Sequence, residues 1–122
     1  VQISKDLVAA SATPLVLAIL AEGDSYGYAI LKRISHLSGG ELEWTDGMLY
    51  PLLHRLDRLG YVEAEWDTPA GGRRRRYYRI TERGRQALTQ QLGQWSIITE
   101  ALRDVWQEFS LVTPTLGTTG AS

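Results

Sequence analysis

The stretch Gly60-Tyr61-Val62-Glu63-Ala64-Glu65-Trp66-Asp67-Thr68-Pro69-Ala70-Gly71-Gly72-Arg73-Arg74-Arg75-Arg76-Tyr77-Tyr78-Arg79-Ile80-Thr81 decides the fold. Before it, apolar residues recur every three or four positions; inside it the period drops to two. Val62, Ala64 and Trp66 alternate with Glu63, Glu65 and Asp67, and Arg76, Tyr78 and Ile80 alternate with Arg75, Tyr77 and Arg79. Two such runs around a Pro/Gly-rich break predict a β-hairpin. Four consecutive arginines make its tip basic.

Working outward, Thr13-Pro14 reads as a helix start, with Thr as cap and Pro at the first helical position. Leu15, Val16, Ile19 and Leu20 form its stripe, and Ile3, Leu7 and Val8 suggest a short amphipathic arm before it. A second helix, capped at Ser25, carries Ile30, Leu31, Ile34 and Leu37 up to Ser38-Gly39-Gly40. A third begins at Thr45 or Asp46, presents Leu49, Leu52, Leu53, Leu56 and Leu59 on one face, and closes at Gly60. Pro51 in its second turn is a local conflict. Trp44 and Trp66 are expected to anchor the third helix and the hairpin against the domain.

After the hairpin, Thr81 caps a helix expected to reach Phe109. Leu88, Leu92, Trp95, Thr99, Leu102, Trp106 and Phe109 follow heptad spacing with one polar position. At 1.5 Å per residue this helix is roughly 43 Å long, more than the preceding domain needs as a lid. A second copy of the chain is the simplest cover, with Leu88, Leu92, Leu102, Trp106 and Phe109 as dimer-interface residues. The expected organisation is a winged helix-turn-helix domain with an N-terminal arm over residues 1–80, a dimerisation helix over 81–109, and a flexible Thr/Gly/Ser-rich tail over 110–122. The fold class is mainly α with a small β-hairpin.

The chain has 122 residues, room for one domain, with 43% hydrophobic and 22% charged residues, so a packed core is expected rather than disorder. With no Cys, disulfides, thiolate catalysis and Cys-ligated zinc are excluded. No apolar run reaches the ~18 residues of a membrane helix. The opening residues show no secretion signal, so the cytoplasm is the expected compartment. The net charge of −1 hides a segregation: seven of the 13 Lys and Arg residues fall within residues 73–85, against Glu82 alone. Residues 39–67 carry seven acids against Arg55 and Arg58. A compact basic patch on a near-neutral domain is an electrostatic footprint for phosphate.

Three helices, a basic hairpin and a long helix form the element order of a winged helix-turn-helix. Such a protein reads the major groove with the exposed N-terminal residues of its second helix-turn-helix member, here Thr45, Asp46, Met48, Tyr50 and then His54 or Arg55. Ser25, Tyr26 and Tyr28, at the start of the first member, are placed to meet phosphate. Arg73, Arg74, Arg75 and Arg76 would neutralise phosphates from the hairpin. Tyr50 has two readings, core residue or phosphate donor. The expected partner is a double-stranded, pseudo-palindromic DNA operator.

The segment Gly47-Met48-Leu49-Tyr50-Pro51-Leu52-Leu53-His54-Arg55-Leu56, then Gly60-Tyr61-Val62, then residues 73–84 through Tyr77-Tyr78-Arg79-Ile80-Thr81, resembles the PadR family of bacterial transcriptional regulators. Tyr26-Gly27-Tyr28 also matches, and the resemblance covers about residues 3–109. It implies a homodimeric winged-helix repressor of the branch with a small C-terminal helix. In its multidrug-responsive members a Trp of the last helix faces its mate across a pore and stacks on flat aromatic effectors. Trp95 matches that position, fourteen residues after Thr81. The resemblance thus implies a planar aromatic effector held by Trp95 and Thr99 with Leu7, Val8 and Ala18. The chain departs at Thr99, where those members carry an acid.

Other readings remain beside this one. Trp95 on the heptad seam can be dimer core, the regulator can be effector-independent, and the winged helix can serve a protein-interaction dimer without specific DNA reading. No Gly-rich phosphate loop, nucleophile elbow or paired His at helical spacing supports an enzyme. His36 and His54 lack a nearby acid pair, so neither a metal nor another cofactor is expected.

Overall fold

The computed structural model describes residues 2–68 and 72–112, and the side chains of that last helix up to Glu108. Seven elements follow in order: α1 (Lys5–Glu22), β1 (Ser25–Tyr26), α2 (Gly27–Leu37), α3 (Asp46–Arg58), β2 (Val62–Asp67), β3 (Arg75–Ile80) and α4 (Glu82–Val112). They are those of a mainly helical winged helix-turn-helix with a long last helix. The chain divides into two compact units, one ending at Thr89 and one starting at Gln90.

The first unit is built on an apolar core to which every element but β1 contributes. Val16, Leu17, Ile19 and Leu20 of α1 join Ile30 and Ile34 of α2 and Leu49, Leu52, Leu53 and Leu56 of α3. Val62, Tyr78 and Ile80 close it from the sheet, and Ala87 and Leu88 from the first turns of α4. Leu88 was expected at a dimer interface, but it is 8% exposed within its own domain's core. Its place in the heptad pattern is shared by two faces: the seam's first position is used up in docking α4 onto the winged domain.

Two sequence expectations are corrected here. The expected arm and first helix are one helix. Ser4 caps it by accepting from the Leu7 N–H at 3.2 Å, and α1 runs through Pro14 without a break. A mid-helix proline costs about 3 kcal/mol because one N–H is lost and the ring crowds the preceding turn. Pro14 is buried beside the core residues of α1, and that burial offsets the loss. Locally, Thr-Pro carries the same signal inside a helix as at its start. The second correction concerns Ser25, which is not a helix cap. Ser25 and Tyr26 form a short edge strand opposite Tyr78 and Tyr77, so the hairpin becomes a three-stranded antiparallel sheet in the order β1-β3-β2. Tyr26 then leads into α2 as its N-cap, with no side-chain cap bond.

The β2–β3 ladder pairs Val62 with Ile80 and Asp67 with Arg75, which puts Trp66 opposite Arg76. The hairpin tip at residues 69–71, including Gly71, lies outside the described residues. Thr81 acts as expected: its hydroxyl accepts from the Gly84 N–H at 3.0 Å and donates to the Gly60 carbonyl at 2.6 Å. That bond seats α4 against the end of α3. Gly84 makes the seating possible, because a Cβ there would overlap the Tyr61 carbonyl and come within 2.8 Å of Ile80 Cγ1. Gly84→Ala is therefore expected to destabilise the domain by roughly 1–3 kcal/mol, as overpacking does. Thermal unfolding checks this; an unchanged midpoint would mean the start of α4 shifts freely.

Glu22 at the end of α1 and Arg33 of α2 form a two-pronged ion pair, with bonds of 3.0 and 2.8 Å. The Arg33 hydrogen bonds hold the Glu22 carboxyl below its ordinary range. The link therefore contributes above the unfolded carboxylate pKa and is lost as pH falls through the folded one. Both groups are exposed, so it ties the two helices together at little energetic gain.

The second unit is the remainder of α4, which ends at Val112, three residues into the stretch expected as a tail. Residues 113–122 lie outside the described residues, as does the side chain of Phe109. Along this helix Leu92, Ile97, Ile98, Leu102, Val105 and Trp106 are all exposed, and Trp95 is half-buried. No helix among the described residues is long and apolar enough to cross a membrane.

Candidate nucleic-acid interface

The wing strands carry two different faces. On one, Arg79 of β3 is held by Glu63 at 3.0 Å and Glu65 at 3.6 Å, both from β2. Those carboxylates raise its pKa and satisfy its charge locally. On the other face lie Trp66 and Arg76, directly opposite one another. Alternation along the strands thus separates the acids of β2 from Arg76, whereas Arg75 shares their face, opposite Asp67. Arg74, Arg75 and Arg76 have no ion-pair partner among the described residues, so their charge is available to a ligand.

These arginines border a concavity of about 670 Å³ lined by Tyr26, Gly27, Tyr28, Tyr50, Trp66 and residues 73–76. It joins three elements that the sequence separates by up to fifty residues: the start of α2, the middle of α3 and the wing. The N-terminus of α2 opens onto it, adding the partial positive charge of unpaired backbone N–H groups. Tyr50 lies across that end of α2, and Gly27 makes the room: a Cβ at position 27 would overlap the Tyr50 hydroxyl. Spacing alone gives no sign of this Gly27–Tyr50 contact, since twenty-three positions separate them. Burial, with Asp46 nearby, pushes the Tyr50 phenol above its ordinary pKa. It therefore stays protonated, and a protonated hydroxyl is what a phosphate oxygen requires as donor.

Of the residues expected to meet DNA, Tyr26, Tyr28, Tyr50, Arg73, Arg74, Arg75 and Arg76 come together in this concavity. Ser25 is half-buried in the edge strand beside it. Thr45 and Met48 are exposed at the first turn of α3. Arg55 does not join the others. It points to α1, with a nitrogen 3.4 Å from the Thr13 hydroxyl, and borders a separate groove with Val8, Met48 and Leu52. Arg55 lies about two helical turns after Met48 on the same side of α3, and its contact with Thr13 holds its side chain toward α1, outside the basic concavity. Trp44 is buried as expected, but Trp66 is 51% exposed and anchors nothing to the core.

The residues expected to hold an effector fall on two helices. Leu7 is exposed on α1, while Val8 and Ala18 pack partly against the core of the winged domain. On α4, Trp95 is half-buried, and the exposed Thr99 donates its hydroxyl to the Ser96 carbonyl at 3.2 Å. No group of three or more potential metal ligands exists among the described residues.

Comparison with known proteins follows the same outline. Residues 16–90 match the model of the transcriptional regulator PadR-like family. The chain is 27% identical to an uncharacterised protein X of Lysinibacillus sphaericus, over 87% of this chain and 96% of that one. A solved transcriptional regulator from Clostridium thermocellum superposes with a TM-score of 0.74 at 29% identity, covering 82% of this chain and 97% of the other. A PadR family transcriptional regulator from Eggerthella lenta does so with a TM-score of 0.70 at 30% identity, over 83% and 86%.

Proposed function

The chain belongs to the PadR-like family of transcriptional regulators, and from that premise we infer that it is a homodimeric, sequence-specific repressor that a planar aromatic effector releases from its operator. DNA binding and transcriptional regulation come with the family; dimerisation, repression and the effector are the finer reading. The observation that carries the DNA-binding part is the arginine-lined concavity, which sets wing cations without an ion-pair partner among the described residues beside the N-terminus of α2 and the Tyr50 hydroxyl. That is the chemistry of a phosphate backbone. The exposed first turn of α3, with Thr45 and Met48, is left to read base edges in the major groove.

The dimer reading is supported by the exposed apolar row of α4, and the effector reading by the half-buried indole of Trp95 on the same helix. A flat ligand between two such indoles would change the spacing of the groove helices, which must match half-sites about one DNA turn apart.

A mobility-shift assay tests this, using the DNA upstream of the protein's own coding sequence against a random duplex of equal length. Thr45→Ala with Met48→Ala is expected to cost about 1–3 kcal/mol on the cognate DNA and little on the random one. An unchanged ratio would mean that α3 does not read bases. In the same assay an acridine should release the DNA from the wild type and not from Trp95→Ala. If Trp95→Ala abolishes dimerisation and no dye acts on the wild type, the indole is interface core and the regulator is effector-independent.

A further inference from the structure

Four adjacent arginines on a hairpin repel one another, and each has a long, rotamer-rich side chain. Left alone they would point in many directions, and ordering them on a ligand would cost entropy. The wing does not leave them alone. The Arg74 guanidinium lies 4.6 Å from the centre of the Trp66 ring, and that of Arg76 lies 5.5 Å from it. Arg75 is 4.5 Å above Tyr26, whose ring is itself braced edge-on by Tyr77 at 5.3 Å. The β2–β3 register explains the pattern: Trp66 faces Arg76 directly, which makes Arg74 its diagonal neighbour on the same face. Trp66 makes no contribution to the buried core, and its exposed indole lines the basic concavity. A large aromatic side chain half in water at the wing calls for a use, and its ring contacts among the described residues are to these two cations.

We propose that Trp66 is a positioning residue for DNA binding, its indole face holding the Arg74 and Arg76 guanidinium groups in the orientation in which they meet phosphate. The inference rests on the DNA-binding reading above and adds the residue that pre-organises its cations. A guanidinium stacked on a ring keeps its N–H edge free, because the π face attracts the cation without using its donors. Trp66 thus orders the arginines without neutralising them, whereas a carboxylate on that face would do both, as Glu63 does to Arg79. Stacking settles part of the rotamer freedom before DNA arrives, which is the effect of pre-organisation on affinity.

The test measures binding of the full chain to a fluorescently labelled duplex of random sequence across a salt series. Wild type is compared with Trp66→Ala, Trp66→Phe, Trp66→Leu and the double variant Arg74→Ala/Arg76→Ala. Losing two exposed cation–π contacts is expected to weaken binding roughly five- to thirty-fold in Trp66→Ala and Trp66→Leu. The slope of log affinity against log salt should stay at the wild-type value in both, since the same phosphates are still neutralised. Trp66→Phe, which keeps a π face, should bind close to wild type. The double arginine variant should flatten the slope. Leu and Phe both fill the site, so their comparison decides the matter even if the Ala variant unfolds, which thermal melts will show. Trp66→Leu binding as well as Trp66→Phe overturns the proposal, because packing alone would then suffice. Flattened salt dependence in the arginine variant with wild-type binding in every Trp66 variant overturns the proposal and keeps the DNA reading. A wild type that binds no duplex overturns both.

Discussion

Replacing Arg74 and Arg75 together by alanine should weaken binding to any duplex about sixty-fold at ~0.1 M salt, because each neutralised phosphate contributes about 0.9 log units there. The slope of log affinity against log salt should flatten by about 1.8 for the pair. These two arginines are chosen because neither is tied to a carboxylate among the described residues, whereas Arg79 is held by Glu63 and Glu65. Arg79→Ala is the matched control, removing one formal charge from the same strand with a smaller change in slope. Oligomeric state should be unaffected, since both arginines sit in the winged domain and not on α4. Equal slopes in the double variant and the wild type would mean that the wing cations face only solvent.

On the dimer reading proposed above, Leu102→Asp should give a monomer at micromolar concentration, read by light scattering. Leu102 is 64% exposed, in a row with Ile98 and Val105, which are also exposed. A buried Leu is worth about 1.5–3 kcal/mol, and a two-fold interface buries each position twice. A carboxylate there must either be desolvated without a partner or keep the interface open. Loss of the dimer also separates the two DNA-binding units. Because the second half-site contact is intramolecular in the dimer, operator affinity should fall by roughly 10²–10⁴-fold, while weak binding through one wing persists. A wild type that is already monomeric at that concentration would sink the dimer reading and the effector site built on it.

Most of this architecture was legible in the chain because its signals are periodic and local. The switch from a period near 3.6 to a period of 2 at Tyr61 placed the wing, and the leucines of α3 placed the helix that carries Met48 and Tyr50. The errors occurred where one local signal serves two tertiary situations. Thr13-Pro14 looks the same at a helix start and inside α1, where burial of Pro14 makes up for the missing N–H. Ser25 resembles a cap until β3 offers it a strand partner. Leu88 fits the heptad seam, yet the winged domain's own core takes it first. Arg55 stands on the same side of α3 as Met48, but the Thr13 hydroxyl it reaches on α1 is forty-two positions away, a partner no local signal names.

By itself the sequence determined the winged-helix class, the succession of helices and basic hairpin apart from the short β1, and the long last helix, because each depends on neighbours within a few residues. Only the tertiary structure decided which cations are available and what shapes their site. Strand alternation and register put Arg79 among carboxylates and Arg74 and Arg76 on Trp66. Packing of α2 against α3 brought Gly27 under Tyr50 and joined both to the wing. Those pairings span from about ten to some fifty positions along the chain, and no local propensity encodes them. They arise when burial of the shared core fixes where each element lies.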